Sequence, residues 1–483
     1  MRATSNWLEF HARFRPDAEA LFDVSTGRRW TYAALRAWSL AWAGRLRAEG
    51  VVAGDRVVVV AGNRAETLAL LFACAELGAI LAPLNWRLAV PELQWQIDHC
   101  AARVVFADAA QRARIGGLPL EEEPTASPIE GPGAPLESPW VLMYTSGSTG
   151  RPKGALLTHA QLHWNSLNTT LACDLQPSDA TLTFTPLFHT GGLNCLTTPL
   201  LHRGGRVVLT ASFEPGEALR VIAEERVSVL MGVPTIFQMM ADHPLFDGAD
   251  LRSVRDALVG GAALPMPLLH RYRERDIPLR QGFGLTEVGP NCFSLPPAEI
   301  DRKAGTVGMA IPHVAAKIVH PDGSECGTDE PGELLLSGPA VFGGYWDDPA
   351  ATAKAVVDGW FRTGDILSRD AEGYFRVQGR LKEMYISGGE NVYPPEIEGV
   401  LHALPGVAAA AVIGVADERW GEVGAAFVEP LPGHVLTEAA IREWVAPRLA
   451  RFKQPRYVRV LPTLPRTASG KIDRVNLSKE LPS

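Results

Sequence analysis

The sequence predicts an α/β protein of more than one domain, and three observations carry that reading. Residues 30–110, and again residues 140–300, alternate helical periodicity with short β-branched runs, the pattern of a largely parallel sheet with covering helices. From Val307 to Val377 the turns become dense and the strands short, which marks a small β-rich subdomain. After Gly379 and Arg380 the character changes again, to a mixture of strands and a helix. A chain of 483 residues also exceeds what one hydrophobic core ordinarily holds.

The elements follow in order. Thr31 is a good N-cap for a helix carrying Leu35, Leu40 and Leu46. Val57–Val60 reads as a buried strand, Glu66–Leu77 as a helix and Val104–Phe106 as the next strand. Residues 115–139 are rich in Pro, Gly and Glu and read as a surface linker. Val141–Tyr144 is a strand that opens the second alternating block. Beyond a boundary at 380–382, Ala408–Val415 and Ala425–Val428 read as strands and Glu438–Ala450 as a helix. The domains expected are therefore 1–379 and 383–483, joined at 380–382. No internal repeat or long low-complexity segment interrupts them.

Composition narrows the class. Hydrophobic residues at 46% and charged residues at 21% give the balance of a globular enzyme, and a net charge of −8 disfavours nucleic acid as a partner. The charge is uneven. Residues 442–479 hold ten Lys/Arg against two acids, a local +8, which leaves about −16 for the rest. Such a basic end suits a small polyanionic ligand, although composition alone favours the plainer reading of a solvated basic surface. The six cysteines show no metal-type spacing and no small disulfide framework, which fits a reducing, cytoplasmic setting. Arg2, Glu9, Arg13 and Arg15 interrupt any signal-like apolar run, and no run approaches the ~20 residues needed to span a bilayer. His159 and His163 stand four apart, but no third ligand accompanies them, so a zinc site is not expected there.

The strongest local signal is Tyr144-Thr-Ser-Gly-Ser-Thr-Gly-Arg-Pro-Lys-Gly154. Gly147, Gly150 and Gly154 let the backbone turn tightly and approach a ligand. Thr145, Ser146, Ser148 and Thr149 supply hydroxyl donors, and Lys153 supplies charge. A loop of this kind after a strand suits a polyphosphate. No Gly-Lys-Ser/Thr triplet ends it, so it is not the Walker pattern.

This loop resembles the phosphate loop of the acyl-adenylate-forming superfamily, on its acyl-CoA synthetase branch, and later segments resemble that family's other motifs in the same order. Gln281-Gly-Phe-Gly-Leu-Thr-Glu287 is similar to the family's central motif. The resemblance implies adenine stacking on Phe283 between Gly282 and Gly284, α-phosphate contact by Thr286 and Mg²⁺ ligation by Glu287. Gly260-Gly-Ala-Ala263 resembles the strand end beside adenine and acyl group, which brings in Gly261 and Ala262. Arg362-Thr-Gly-Asp365 resembles the ribose motif, with Asp365 the ribose carboxylate and Arg380 a ribose or phosphate contact. Pro186-Leu-Phe-His-Thr-Gly-Gly192 places His189 beside the acyl site, although a lone histidine is more often a packed one. Pro465-Arg-Thr-Ala-Ser-Gly-Lys-Ile-Asp473 resembles the segment that bears the adenylation lysine, here Lys471. The hinge position falls on Lys382, and Gly388 and Gly389 fall where the family lines its thiol tunnel. Arg87, Trp420, Phe452 and Lys453 align with positions that some relatives use for the CoA nucleotide.

The resemblance implies a large N-terminal domain of stacked mixed sheets and helices with a β-rich subdomain, and a small mobile C-terminal α+β domain. The implied reaction forms acyl-AMP from a carboxylic acid, ATP and Mg²⁺, then passes the acyl group to coenzyme A. Leu187–Thr190 holds no acid to pair with a substrate ammonium, which favours an apolar acid over an amino acid. A medium- to long-chain fatty acid is the first expectation and an aryl or hydroxycinnamic-type acid the second. Loading of a carrier protein, and a noncatalytic nucleotide-binding relative, are the other readings. A homodimer is one possible assembly, and the sequence does not decide it.

Overall fold

The computed structural model describes residues 6–145, 152–387, 390–417, 419–467 and 471–481. The chain divides into two compact units, one of Met1–Leu264, Leu268–Ala316 and Leu336–Phe361, the other of Pro265–Pro267, Lys317–Leu335 and Arg362–Ser483.

The first unit holds two large sheets. A six-stranded sheet runs in the order Leu118–Pro119, Val104–Ala107, Arg56–Val60, Ile80–Leu84, Pro139–Thr145 and Lys153–Thr158. Its strands are parallel except the last, which returns antiparallel from its neighbour. A seven-stranded sheet is parallel from Leu279–Gln281 to Glu19–Asp23, with Arg28–Thr31 as an antiparallel edge. Parallel strands are covered on both faces, so their sequences are continuously apolar, as in the fully buried Ile80–Leu84. Thr31 caps the helix Tyr32–Ala48 by accepting from Ala34 N, as the sequence predicts. The helix Ala65–Leu77 is buried at every position and ends on Gly78 in the left-handed region.

Residues 115–139 are more than a linker. Apart from Leu118–Pro119 they form no strand or helix before Pro139, yet they are strapped to the helix Tyr32–Ala48. Trp38 Nε1 donates to Glu123 Oε2 at 2.8 Å, and Arg45 pairs with Glu122 at 3.2 Å. Arg36 pairs with buried Glu76 at 2.5 Å and with Glu130 at 3.5 Å. The strap lies so close that a Cβ on Gly44 would sit 2.1 Å from Ser127 O. Local composition shows the missing periodicity but not these long-range anchors.

In the second unit, strand Trp360–Arg369 pairs with Phe375–Arg380, with Asp365 opposite Arg380. A further sheet runs Glu390–Val392, Tyr385–Ser387, Gly421–Pro430 and Val407–Asp417, with Tyr457–Val460 parallel to Gly421–Pro430. Helices Pro394–His402 and Glu438–Val445 contribute Ile397, Leu401, Ile441 and Val445 to a core with Tyr385, Val412 and Val428. The predicted helix 438–450 ends early, at Val445. Pro447 has no N–H to continue the ladder, and the chain proceeds through turns instead. Arg474 ties the C-terminal end to the helix Pro394–His402 through Glu398 at 2.7 Å.

Candidate active site

In the first unit the central motif folds as a tight antiparallel turn. Strand Phe283–Leu285 pairs with Gly289–Ser294, which leaves Thr286 and Glu287 at the bend. Gly284 is required there, because a Cβ would lie 2.2 Å from the Pro290 carbonyl. Glu287 is buried, its main-chain oxygen accepts from Phe342 N at 2.7 Å, and its carboxylate accepts from the Tyr345 hydroxyl at 2.9 Å. The Tyr345 ring in turn lies 4.9 Å from Lys153 Nζ. Burial, and then the Glu287 charge, raise the Tyr345 phenol, so it stays a proton donor. Lys153 is held opposite Thr145 by strand pairing. The structure therefore brings Lys153, Thr286 and Glu287 into one neighbourhood, and Tyr345 joins them. Tyr345 was missed because it sits in Gly343-Gly-Tyr-Trp346, which has no catalytic spacing. Ser146, Gly147, Ser148, Thr149 and Gly150, predicted for the phosphate loop, lie outside the described residues.

Phe283 meets Phe293 edge-on at 5.7 Å. Gly260 follows strand Asp256–Val259, Gly261 is in the left-handed region with φ 78°, and Ala262 is exposed beside it. A Cβ on Gly282 would meet Val259 O at 3.6 Å, an ordinary contact, so packing there does not require glycine. His189 stands just before a π-helical turn, Gly191–Cys195, a form that recurs at functional sites. Its ring lies 4.6 Å from that of Phe188, and Arg87 lies 5.9 Å from the same Phe188 ring.

Behind the bend Gln161, Asn165, Thr190, Asn194, Gly289 and Pro290 meet Leu157 and Leu162 along a seam too tight to hold a water molecule. Gln161 donates to Thr286 O at 2.9 Å, and Asn165 donates to Asn194 O at 2.7 Å. Gln161 Oε1 and Asn165 Oδ1 are buried without a hydrogen-bond partner. Both residues come from the helix His159–Ala172, where sequence periodicity reads them as packing positions.

The second unit holds a second cluster. Asp365 is 3% exposed, and one of its oxygens meets Arg380 Nε at 2.8 Å. Its other oxygen, Oδ2, is buried and unpartnered. Burial raises the Asp365 carboxyl, against the pull of Arg380. Lys471 is exposed as a residue, but its ammonium is held below the usual lysine value by desolvation, and then by Arg380. Asp365 and Glu383 act on it in the opposite sense. Thus the structure brings Asp365, Arg380 and Lys471 together. Lys382 sits exposed in a turn where Glu383 N and Met384 N both donate to Arg380 O. Gly388 and Gly389 lie outside the described residues.

The residues expected at the CoA nucleotide differ in their commitments. Trp420 is 43% exposed. Lys453 is paired with Glu396 at 2.7 Å, and Phe452 packs on the domain core. Lys453, Arg456, Arg459, Arg466 and Arg474 all pair with acids outside 442–479 or near its edge, so much of the basic end is neutralised locally.

Chemically, the first cluster offers a buried carboxylate of hard oxygen beside a fixed lysine. Those residues fit Mg²⁺ and phosphate. The second offers an unpartnered acceptor and a confined ammonium, which fit sugar hydroxyls and developing negative charge. The AMP-binding enzyme model matches residues 8–346, and the AMP-binding enzyme C-terminal domain model matches residues 396–471. The chain belongs to the AMP-binding enzyme family. It is 42% identical over 476 residues to a feruloyl-CoA synthase of Amycolatopsis sp, covering 97% of this chain and 96% of that one. It is 35% identical to a long-chain-fatty-acid–CoA ligase of Mycobacterium tuberculosis, covering 98% and 97%. Its fold matches o-succinylbenzoate CoA synthetase from Bacillus subtilis, solved with its acyl-adenylate intermediate, at TM-score 0.89 and 30% identity over 99% and 98% of the chains. The protein is an AMP-forming acid–CoA ligase, with ATP, Mg²⁺ and coenzyme A as co-substrates. Among the described residues no helix is long and apolar enough to cross a membrane.

Proposed function

We propose that the acid is an aryl carboxylic acid carrying a polar ring substituent, converted to its CoA thioester through the aryl-acyl adenylate. The carrying observation is the identity of 42% to a feruloyl-CoA synthase against 35% to a long-chain-fatty-acid–CoA ligase, each over nearly the whole chain. Next to Thr286, the buried and unpartnered acceptors Gln161 Oε1 and Asn165 Oδ1 give the same neighbourhood a polar character that an alkyl chain does not answer. This reverses the preference that the sequence alone suggests.

The residues take the following parts in this reading. A carboxylate oxygen of the acid attacks the α-phosphorus, and the bond to the β-phosphate bridging oxygen breaks. Lys471 faces the charge that gathers on the departing pyrophosphate, and Thr286 donates to the α-phosphate. Glu287, oriented by Tyr345, would hold the metal, which would supply neutralisation of phosphate charge. Asp365 accepts from the ribose hydroxyls through Oδ2. His189 borders the acyl carboxylate. The CoA sulfur then attacks the acyl carbonyl carbon, and AMP leaves with the electron pair. Lys382 serves as the hinge between the two half-reactions. Six free, buried cysteines suit a reducing, cytoplasmic setting.

The test is kcat/KM for pyrophosphate release with ring-hydroxylated cinnamic acids, their O-methylated counterparts, and fatty acids of medium and long chain. The hydroxylated acids should exceed both other groups by about tenfold or more, the worth of one hydrogen bond in a buried site. A fatty acid at the head of the ranking would overturn the aryl reading.

A further inference from the structure

His320, Cys326 and Glu330 lie outside every part assigned above, within residues 317–335 of the second unit. The chain reverses after strand Ala315–Val319. His320 N donates to Ser324 O at 2.9 Å, Val319 bridges to Glu325, and Cys326 N donates to Ile318 O at 2.9 Å. Asp322 fastens the turn by accepting from Ser324 N at 2.9 Å and Ser324 Oγ at 2.6 Å. His320 and Cys326 therefore stand on opposite limbs of one hairpin. A second turn returns Glu330, whose Oε2 accepts from Gly327 N at 2.8 Å.

The outcome is a convergence of three different donor types. One ligand atom from each of His320, Cys326 and Glu330 lies within 4.8 Å of the others. His320 Nε2 and Glu330 Oε1 are 3.3 Å apart. Cys326 is buried, while His320 and Glu330 reach solvent and leave a route in. Room for the sulfur comes from Gly332, where a Cβ would lie 2.4 Å from Cys326 Sγ.

We propose that His320, Cys326 and Glu330 form a binding site for one divalent transition-metal ion of the zinc type. An imidazole nitrogen, a sulfur and a carboxylate oxygen make a borderline-soft donor set, unlike the oxygen sets that hold Mg²⁺. Charge closes as well. Binding displaces the thiol proton to solvent, and the thiolate and carboxylate together balance the two positive charges of the ion. Three protein ligands leave the fourth tetrahedral position to water. The plainer reading is a His320–Glu330 ion pair on a hairpin. It accounts for two of the groups, and the buried Cys326 Sγ, which donates to Pro331 O at 3.8 Å, is the third that faces the same point. The ion would clamp both turns ahead of strand Gly332–Ser337 and take no part in adenylation.

The experiment is titration of the chelator-treated full-length protein with Co²⁺. A near-ultraviolet thiolate-to-cobalt absorption band should saturate at one equivalent and be displaced by Zn²⁺, with one proton released per ion. Cys326→Ser should abolish the band and weaken zinc affinity at least about 100-fold, and His320→Gln should weaken it at least about 10-fold. Both variants should keep pyrophosphate release with Mg²⁺. If Cys326→Ser fails to fold, His320→Gln alone carries the decision. A titration with no saturating band, or a zinc affinity unchanged in the variants, would leave only the ion pair.

Discussion

Two buried carboxylates, one in each unit, are handled in opposite ways. Glu287 accepts a hydrogen bond from a neutral phenol, that of Tyr345, which orients its carboxylate. Asp365 is met by the guanidinium of Arg380, so its charge is largely answered, and what remains is an unpartnered acceptor atom. The first arrangement suits a metal and the second suits uncharged hydroxyls. Partner choice, more than burial, separates the roles, since both carboxylates are less than a tenth exposed.

The largest expected effect falls on the cation of the second cluster. Lys471→Ala should slow acyl-AMP formation by about 10²–10³, the usual loss for one electrostatic contact to a developing charge. Thioester formation from supplied acyl-AMP should survive. Equal damage to both half-reactions in a folded variant would remove Lys471 from adenylation.

Asp365→Asn should raise the KM for ATP by about 10–100-fold, since it replaces a charged acceptor with an amide. It should also change stability with a defined sign. The folded-state carboxyl lies above its ordinary value of 3.8, chiefly through burial. The folded protein therefore holds that proton more tightly than the unfolded chain. The contribution is present below the ordinary value and is lost as pH rises through the raised one. Melting temperature against pH should flatten in that window in the Asn variant, and an identical curve would deny the buried charge.

The first cluster should respond through the metal. Glu287→Gln should raise the Mg²⁺ concentration needed for half-maximal pyrophosphate release, and Tyr345→Phe should raise it less, by about 10-fold. If Tyr345→Phe has no effect, the phenol does not orient the carboxylate. The smallest effect is on Glu383, whose charge favours the protonated form of Lys471. Glu383→Gln should move the alkaline limb of kcat/KM for pyrophosphate release to lower pH, because Lys471 then loses its charge sooner. Movement to higher pH would show that another group sets that limb.

The sequence disclosed what is carried by local pattern or by fixed spacing. The Thr31 cap and the strand Val57–Val60 both depend on neighbours along the chain. Tyr345 lies 58 residues from Glu287, and nothing in its own surroundings announces the hydrogen bond. Gln161 and Asn165 keep a helical rhythm that reads as packing, and only their unpartnered oxygens distinguish them. The basic C-terminal end is a coarse signal for a similar reason. A count of charges does not see that Arg456 and Arg474 already face Asp417 and Glu398.

The pairing of Pro139–Thr145 with Lys153–Thr158 has a consequence for where a residue could be gained. Lys153 owes its address to the register opposite Thr145, and Ala155 beyond it bridges to Tyr345. A single residue gained inside strand Lys153–Thr158 would rotate the alternation by half a period and turn Lys153 to the opposite face. The lysine is indexed by the sheet.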